Sequence, residues 1–307
     1  MLLLDPTPEP PEQPDDEWSP EPHPGPIARL WRSGLERARD QVDLARSTSR
    51  LLTSPSRLRT APSAAADAAG AFARAMRPAR PIAPLNEPIS TRRRLARVER
   101  SLEELRRIKA RFQVTVNDVY LAIAAGALRR LLIERGEKPR ALKTMVPVNV
   151  REDGQADELG NRISFMFVDL PCDEPDPELR LRRLQLATKK GKGGRDPATA
   201  DSVMRAIGQG PRRLQRLASR VVSSPRMFNL TVSNIPGPSE PMYMLGCELR
   251  EAYPVVPLPD RHALSIGMTT IGDRACFGLY ADRRALGDVD LVAEAVQESS
   301  DELLELV

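Results

Sequence analysis

Hydrophobic residues recur at helical or strand spacing through most of the chain after residue 95. Apolar residues three to four positions apart predict helices over 101–112, 115–135, 176–190, 199–222 and about 288–306. Alternating or short apolar runs predict strands over 143–150, 162–170, 228–234, 264–271 and 275–282. The pattern lacks the regular strand–helix alternation of a doubly wound sheet. We therefore expect an α/β domain of the α+β type, with a mixed sheet packed with helices.

The first 94 residues follow a different pattern. Residues 5–26 contain nine prolines and seven acidic residues, too little apolar surface to offset the entropy of ordering. We expect residues 1–26 to form a Pro/acid-rich linker and residues 27–94 to form a helical and Ala/Pro-rich connecting segment. Within it, helices are predicted over 27–52 and near 63–76, and the folded domain is expected over 95–307.

Composition excludes several classes of protein. The net charge is +4, and no run approaches the roughly 18–20 apolar residues that span a bilayer. Three widely spaced cysteines, Cys172, Cys247 and Cys276, form neither a disulfide framework nor a metal-ligand pattern. We expect buried thiols in a reducing cytoplasm, no bound metal and no permanently bound cofactor.

The predicted helix over 115–135 begins with Thr115-Val116-Asn117-Asp118. Thr115 followed three residues later by Asp118 is typical of a capping box, in which each side chain bonds the other residue's backbone. A second interpretation is compatible with the first: Asn117 and Asp118 project into a cleft and help to shape an active site.

Residues 233–238 read Ser-Asn-Ile-Pro-Gly-Pro, where a predicted strand ends and prolines force a turn. One interpretation is a rigid strand exit. The other places Ser233 and Asn234, with Pro236 and Gly237, at the lip of a tunnel, where small polar groups orient a substrate carbonyl or hydroxyl.

A basic stretch lies between Ser202 and Ser239, with arginines and no acidic residue. Its apolar residues interleave with Arg205, Arg212, Arg213, Arg216 and Arg220. Such a helix either lies on an anionic membrane surface or docks on the protein with its basic face in water. Interleaved aromatic residues are absent, which argues against nucleic acid.

The chain has two histidines, His23 in the predicted linker and His262 in a turn before a strand. Histidine is the commonest general base near neutral pH, and neither position suits that role. The basic, glycine-rich loop at 189–195 could meet phosphates, but it matches no phosphate-loop pattern. The residue types and their spacing therefore do not indicate a complete set of catalytic residues.

Seven segments, taken in order, resemble the bacterial wax ester synthase/diacylglycerol acyltransferase family. They are LNEPIS (85–90), VNDVYLAIAAGALRRLL (116–132), MVPVNVR (145–151), GNRISFMFVDLP (160–171), SNIPGP (233–238), YPVVPL (253–258) and FGLYADR (277–283). The resemblance implies the second lobe of a chloramphenicol-acetyltransferase-like fold, with the N-terminal lobe missing. It also implies acyl-CoA as co-substrate and diacylglycerol or a long-chain alcohol as acceptor.

In that family the general base is a histidine of the motif HHxxxDG, which this sequence does not contain. The family's Asn-Asp pair matches at Asn117 and Asp118, which the resemblance implies to be supporting catalytic residues. The Ser-Asn-x-Pro-Gly-Pro motif implies substrate binding by Ser233, Asn234, Pro236 and Gly237. Ser265 departs from the asparagine that family members often carry there.

We expect this chain alone to be inactive and to need a separate polypeptide that carries the N-terminal lobe. The alternative is a non-catalytic lipid-binding module held at a membrane or lipid droplet by the basic stretch. A truncated relative of peptide-synthetase condensation domains fits the motifs less well. In each case we expect a cytoplasmic protein, peripheral on the inner membrane or on lipid droplets where it contacts lipid.

Overall fold

A computed structural model describes residues 4–9, 77–149, 163–193, 224–238 and 240–307, together with the single positions 19, 25 and 31. The helices predicted over 63–76 and 199–222 lie outside the described residues, as does the helix predicted over 27–52 except for the single position 31. No helix in the described part is long and apolar enough to cross a membrane.

The described residues form one mixed six-stranded sheet and a small hairpin. The strands are β1 (Arg93–Ser101), β2 (Leu142–Asn149), β3 (Ile163–Leu170), β4 (Leu230–Ile235), β5 (Tyr243–Met244), β6 (Cys247–Glu248), β7 (Leu264–Ile271) and β8 (Arg274–Asp282). The sheet order is β1-β8-β7-β4-β2-β3, and β5 pairs with β6 separately. β4 runs parallel to both β2 and β7, while the other pairs are antiparallel. The predicted mixed sheet is confirmed, and β7 and β8 form an antiparallel hairpin.

Four helices pack on this sheet: α1 (Leu102–Phe112), α2 (Val116–Glu134), α3 (Pro177–Gly193) and α4 (Val289–Leu304). α2 is the central helix, and its residues from Asp118 to Leu128 are buried on every side, as expected of a helix segment that is apolar all round. Its Tyr120 packs on Phe277 of β8, while its Gly126 lies against Ser299 of α4. We call the side of the sheet that carries α2 the helix face, and the opposite side the outer face.

Local sequence determines where the first two helices begin and end. The Ser101 side chain accepts a hydrogen bond from the Glu103 N–H at 3.2 Å, and Gln113 ends α1 with a φ of 54°. α2 begins at the Thr115 cap and stops before Gly136, whose φ of 70° suits a residue without a Cβ. Both predicted helices are therefore confirmed to within about a residue at each end.

Residues 251–258, the crossing segment, lie on the outer face over β7 and β8. Gly267 and Gly278 are register partners there, and a Cβ on either would lie within 2.7 Å of a Pro254 atom. The Ser265 hydroxyl donates to the Val256 carbonyl at 2.6 Å. The two glycines therefore let the crossing segment approach the sheet closely.

Core packing also includes residues ahead of residue 95. Leu85 lies in the core, and Asn86 and Asn229 form a buried pair in which the Asn229 Nδ2 donates to the Asn86 Oδ1 at 2.9 Å. Cys172 and Cys276 are buried as expected. Cys247 is exposed instead, because it lies in the short β5–β6 hairpin rather than in the sheet.

Candidate active site

Asn117 and Asn234 meet at one end of the sheet. Asn117 is the second residue of α2, and Asn234 is the penultimate residue of β4. The Asn234 Nδ2 is 3.5 Å from the Asn117 Oδ1, and both residues are half-buried. The structure therefore joins two motifs that are far apart in the sequence.

The carboxylate of Asp118 is engaged inside the fold. One oxygen accepts hydrogen bonds from the Thr115 N–H at 2.9 Å and the Thr115 hydroxyl at 2.8 Å. The other accepts from the Thr188 hydroxyl of α3 at 2.6 Å, and only 3% of the residue is exposed. The predicted capping box is confirmed. Asp118 thus fixes the start of α2, and with it the position of Asn117, whereas a direct catalytic role for Asp118 stays a prediction.

Ser233 and Asn234 lie on opposite faces of the sheet, because successive side chains of a strand alternate. Ser233 is buried, and its carbonyl accepts a hydrogen bond from the Tyr120 hydroxyl at 3.2 Å. The sequence analysis placed both residues at the lip of one tunnel. The structure brings only Asn234 to Asn117, since a strand cannot present neighbouring side chains on one face.

The turn after β4 lies against the end of β7. The Gly237 N–H is 3.4 Å from the Thr270 hydroxyl, and a Cβ on Gly237 would lie 1.8 Å from the Thr270 carbonyl oxygen. Glycine is therefore required at residue 237 by the backbone of the neighbouring strand. This contact supports the interpretation of SNIPGP as a rigid strand exit, and substrate binding by Gly237 stays a prediction.

An open pocket of about 320 Å³ lies at this end of the sheet. It is bordered by α1, the start of α2 and the carboxyl ends of β4 and β7. The lining residues are Leu102, Arg106, Lys109, Val116, Asn234, Pro236, Met268 and Thr270. The pocket thus combines an apolar floor, one amide, one hydroxyl and two cations. Its place at the carboxyl ends of two parallel strands is a common position for ligands in α/β sheets.

The sequence analysis did not single out Arg106, Lys109, Met268 or Thr270. The apolar spacing of α1 does put Arg106 and Lys109 on one flank of that helix, three residues apart. Nothing in the sequence shows that this flank faces the ends of β4 and β7.

His262 lies at the other end of β7. It is fully buried and stacks on Phe228, with ring centroids 4.1 Å apart. Its Nδ1 and Nε2 contact the carbonyls of Asp260 and Phe228 at 2.8 Å and 3.1 Å. Burial lowers the pKa of His262. Met268 of the pocket lies six residues further along the extended chain, roughly 20 Å away, so the imidazole of His262 is not positioned to act there.

Two family models match the chain. That of the wax ester synthase/diacylglycerol acyltransferase catalytic domain matches residues 2–120, and that of the WS/DGAT C-terminal domain matches residues 159–304. The chain belongs to the wax ester synthase/diacylglycerol acyltransferase family. The resemblance seen in the seven segments is confirmed. The predicted division of the chain into 1–26, 27–94 and 95–307 stays a prediction.

Named members of this family are similar over most of the chain. The probable diacylglycerol O-acyltransferase tgs1 of Mycobacterium tuberculosis is 31% identical over 219 residues, which are 70% of this chain and 47% of that protein. The O-acyltransferase WSD of Acinetobacter baylyi is 35% identical over 209 residues, 67% of this chain and 45% of that protein. The chain therefore spans about half the length of the curated relatives it matches.

The solved wax ester synthase/diacylglycerol acyltransferase from Marinobacter aquaeolei VT8 has the same fold over the shared region. The two structures superpose with a TM-score of 0.58 at 27% identity, over 79% of this chain and 55% of the other. The predicted fold class, a mixed sheet packed with helices in a chloramphenicol-acetyltransferase-like fold, is confirmed.

The Asn117–Asn234 contact joins the two domains of the wax ester synthase/diacylglycerol acyltransferase family. Asn117 lies within the catalytic-domain match and Asn234 within the C-terminal-domain match. The amide pair therefore lies where these two family domains meet.

The membrane-binding prediction concerns residues outside the described ranges, namely Arg205, Arg212, Arg213, Arg216 and Arg220. It stays a prediction. In the part of the chain that the structure describes, no group of His, Cys, Asp and Glu side chains could hold a metal ion.

Proposed function

We propose that the chain forms part of an O-acyltransferase that transfers the acyl group of acyl-CoA to diacylglycerol or a long-chain alcohol. Family membership supports the reaction class. The observation that carries the proposal is the Asn117–Asn234 contact, which joins one residue from each family domain beside the pocket that Asn234 lines.

In this reaction a general base removes the proton of the acceptor hydroxyl, and the oxygen attacks the thioester carbonyl carbon. The C–S bond then breaks, and coenzyme A leaves as a thiol after taking up a proton. Negative charge builds on the carbonyl oxygen before the C–S bond breaks. The Asn234 Nδ2, a neutral donor beside Asn117, can stabilise that charge by a hydrogen bond.

The proton transfer needs a base beside this pocket. His262 is stacked and hydrogen-bonded at the far end of β7, and His23 lies outside the described residues. We therefore assign the base to a histidine in a region that matches the family's HHxxxDG motif. That region could be carried by a separate polypeptide.

The test is a fusion in which the part of the Marinobacter enzyme that this chain does not cover precedes residue 2. Palmitoyl-CoA and dioleoylglycerol or hexadecanol are supplied, and thiol release and ester product are measured. We expect turnover that requires the grafted histidine. Asn234→Ala should lower kcat by about 100- to 1,000-fold, the usual effect of removing one oxyanion donor.

Gln297→Ala is the matched control, because it removes an exposed amide from α4, away from the site. It should leave kcat unchanged. A fusion that melts cooperatively and binds palmitoyl-CoA, yet forms neither ester, would contradict the proposed function.

The lipid-binding module remains the alternative function. It depends on the basic stretch around Arg212, Arg213 and Arg216, and it predicts binding to anionic vesicles without acyl transfer.

A further inference from the structure

Arg106 and Lys109 place two cations on one wall of the pocket. They lie three residues apart on α1 and therefore on the same side of the helix. Both are exposed residues, and both line the pocket that Asn234 also lines. Long basic side chains whose charged ends reach solvent can still meet a ligand that enters from outside.

Carboxylates of the fold leave these two charges largely uncompensated. The side chain of Arg106 is 3.9 Å from Glu103, with both side chains more than half exposed, and such a pair contributes little. Lys109 takes part in none of the ion pairs between described residues. The pocket mouth is therefore a positively charged entrance that favours an anionic ligand.

Besides the two cations, the lining holds apolar and neutral polar groups. Leu102, Val116 and Met268 are apolar, while Asn234 and Thr270 supply an amide and a hydroxyl. The volume of about 320 Å³ lies at the lower end of the range for small-molecule sites. A ligand that matches these groups carries phosphates and an uncharged, amide-bearing arm.

We propose that Arg106 and Lys109 bind the phosphate groups of the acyl donor's coenzyme A, while the pantetheine arm runs over the apolar floor towards Asn234. This assignment rests on the proposed acyltransferase function and names the donor's entrance. Neither acceptor carries a phosphate, so the two cations distinguish donor from acceptor by charge.

The test measures binding of coenzyme A to the full chain by titration calorimetry at low salt. The double variant Arg106→Glu with Lys109→Glu should weaken binding by about tenfold or more, and the difference should shrink as salt rises. Arg107→Glu reverses an exposed charge on the same helix outside the pocket and should change affinity by less than about twofold.

Further ligands identify what the pocket recognises. Pantetheine, which has no phosphate, should bind the wild type and the double variant equally. Inorganic phosphate should bind the wild type far more weakly than coenzyme A does. The neutral variant Arg106→Gln with Lys109→Gln gives the same comparison if the charge-reversed chain does not fold.

Three results would overturn the assignment: no binding of coenzyme A to the wild type, an unchanged affinity in both double variants, or an equal loss in Arg107→Glu. Phosphate binding as tight as that of coenzyme A would show a non-specific anion patch and would overturn it too. These results are separate from the fusion assay. Suppose that the fusion transfers acyl groups and that its double variant binds coenzyme A normally. This result would support the acyltransferase function and would show that the phosphates bind elsewhere than at Arg106 and Lys109.

Discussion

Asn117 and Asp118 are neighbours in the chain, but their side chains serve different purposes. Asp118 accepts hydrogen bonds from Thr115 and Thr188 inside the fold. Asn117 is half-buried and approaches Asn234 beside the pocket. Asp118 therefore fixes the start of α2 and holds Asn117 beside Asn234, and an action of Asn117 on a ligand stays a prediction.

Asp118→Asn should reduce the free energy of unfolding. One oxygen becomes an NH₂ group, so a buried donor of Thr115 or Thr188 loses its acceptor, at a cost of about 1–3 kcal/mol. Asn117→Ala is the matched variant and should stay within about 0.5 kcal/mol of the wild type. Urea unfolding measures both. Equal losses in the two variants would contradict this division of roles.

Stability should fall as the pH drops from 7.5 to 5.5. Burial lowers the pKa of His262, so the folded state resists a proton that the unfolded chain accepts. The contribution is complete above about 6.5, the unfolded pKa, and is lost as the pH falls below it. Urea unfolding across this range gives the free energy of unfolding as a function of pH, and its slope should be shallower for His262→Gln than for the wild type. An identical slope in both proteins would contradict this role of His262.

At the scale of elements, the crossing segment depends on two glycines of the sheet. A Cβ on Gly278 would lie 2.2 Å from the Pro254 carbonyl oxygen, whereas one on Gly267 would lie 2.7 Å from the Pro254 Cβ. Backbone must move in the first case and mainly a proline ring in the second. The crossing segment therefore tolerates the two substitutions unequally.

Both Gly278→Ala and Gly267→Ala should destabilise the protein, by about 1–3 kcal/mol as for other overpacked sites, with the larger effect at Gly278. Val255→Ala, at an exposed residue of the same segment, is the control and should have little effect. Thermal unfolding of the three variants measures how strongly each substitution destabilises the protein. A larger loss in the control than in either glycine variant would contradict the close approach.

Elements with strong local signals were predictable from the sequence. α2 has a capping box, a long apolar run and Gly136 beyond its end, and its observed bounds agree. α4 was also predicted, and its apolar residues Val292, Val296 and Leu303 are buried. In these helices local sequence and tertiary packing favour the same structure.

β1 was missed because its sequence is dominated by charge. Of the nine residues Arg93–Ser101, only Ala96 and Val98 are buried, while the arginines and Glu99 leave too short an apolar pattern. It lies at one edge of the sheet and pairs with β8 alone in the described residues. Edge strands commonly carry such charges, which discourage pairing with other chains.

At the scale of the whole molecule, the candidate site could be predicted only in part. Asn117 and Asn234 were each singled out, but their contact crosses 117 residues of chain. The pocket adds α1 and the end of β7, which come near the end of β4 only in the folded state. Local pattern does not determine contacts at that separation, so Arg106 and Lys109 could not be assigned from sequence.

The membrane prediction also belongs to the whole molecule. Vesicle flotation should show binding that rises with anionic lipid and falls when Arg212, Arg213 and Arg216 are replaced by Glu. Each basic residue near an anionic surface contributes about 1 kcal/mol. Binding that changes neither with the anionic lipid content nor with the three substitutions would contradict this role for the basic stretch.

The decisive assay is thiol release from palmitoyl-CoA by the purified chain with dioleoylglycerol. We propose that this chain positions the substrates while the base comes from another region. This proposal predicts no release above the rate without protein. Release and triacylglycerol formation by the chain alone, at a rate that Asn234→Ala lowers, would contradict it.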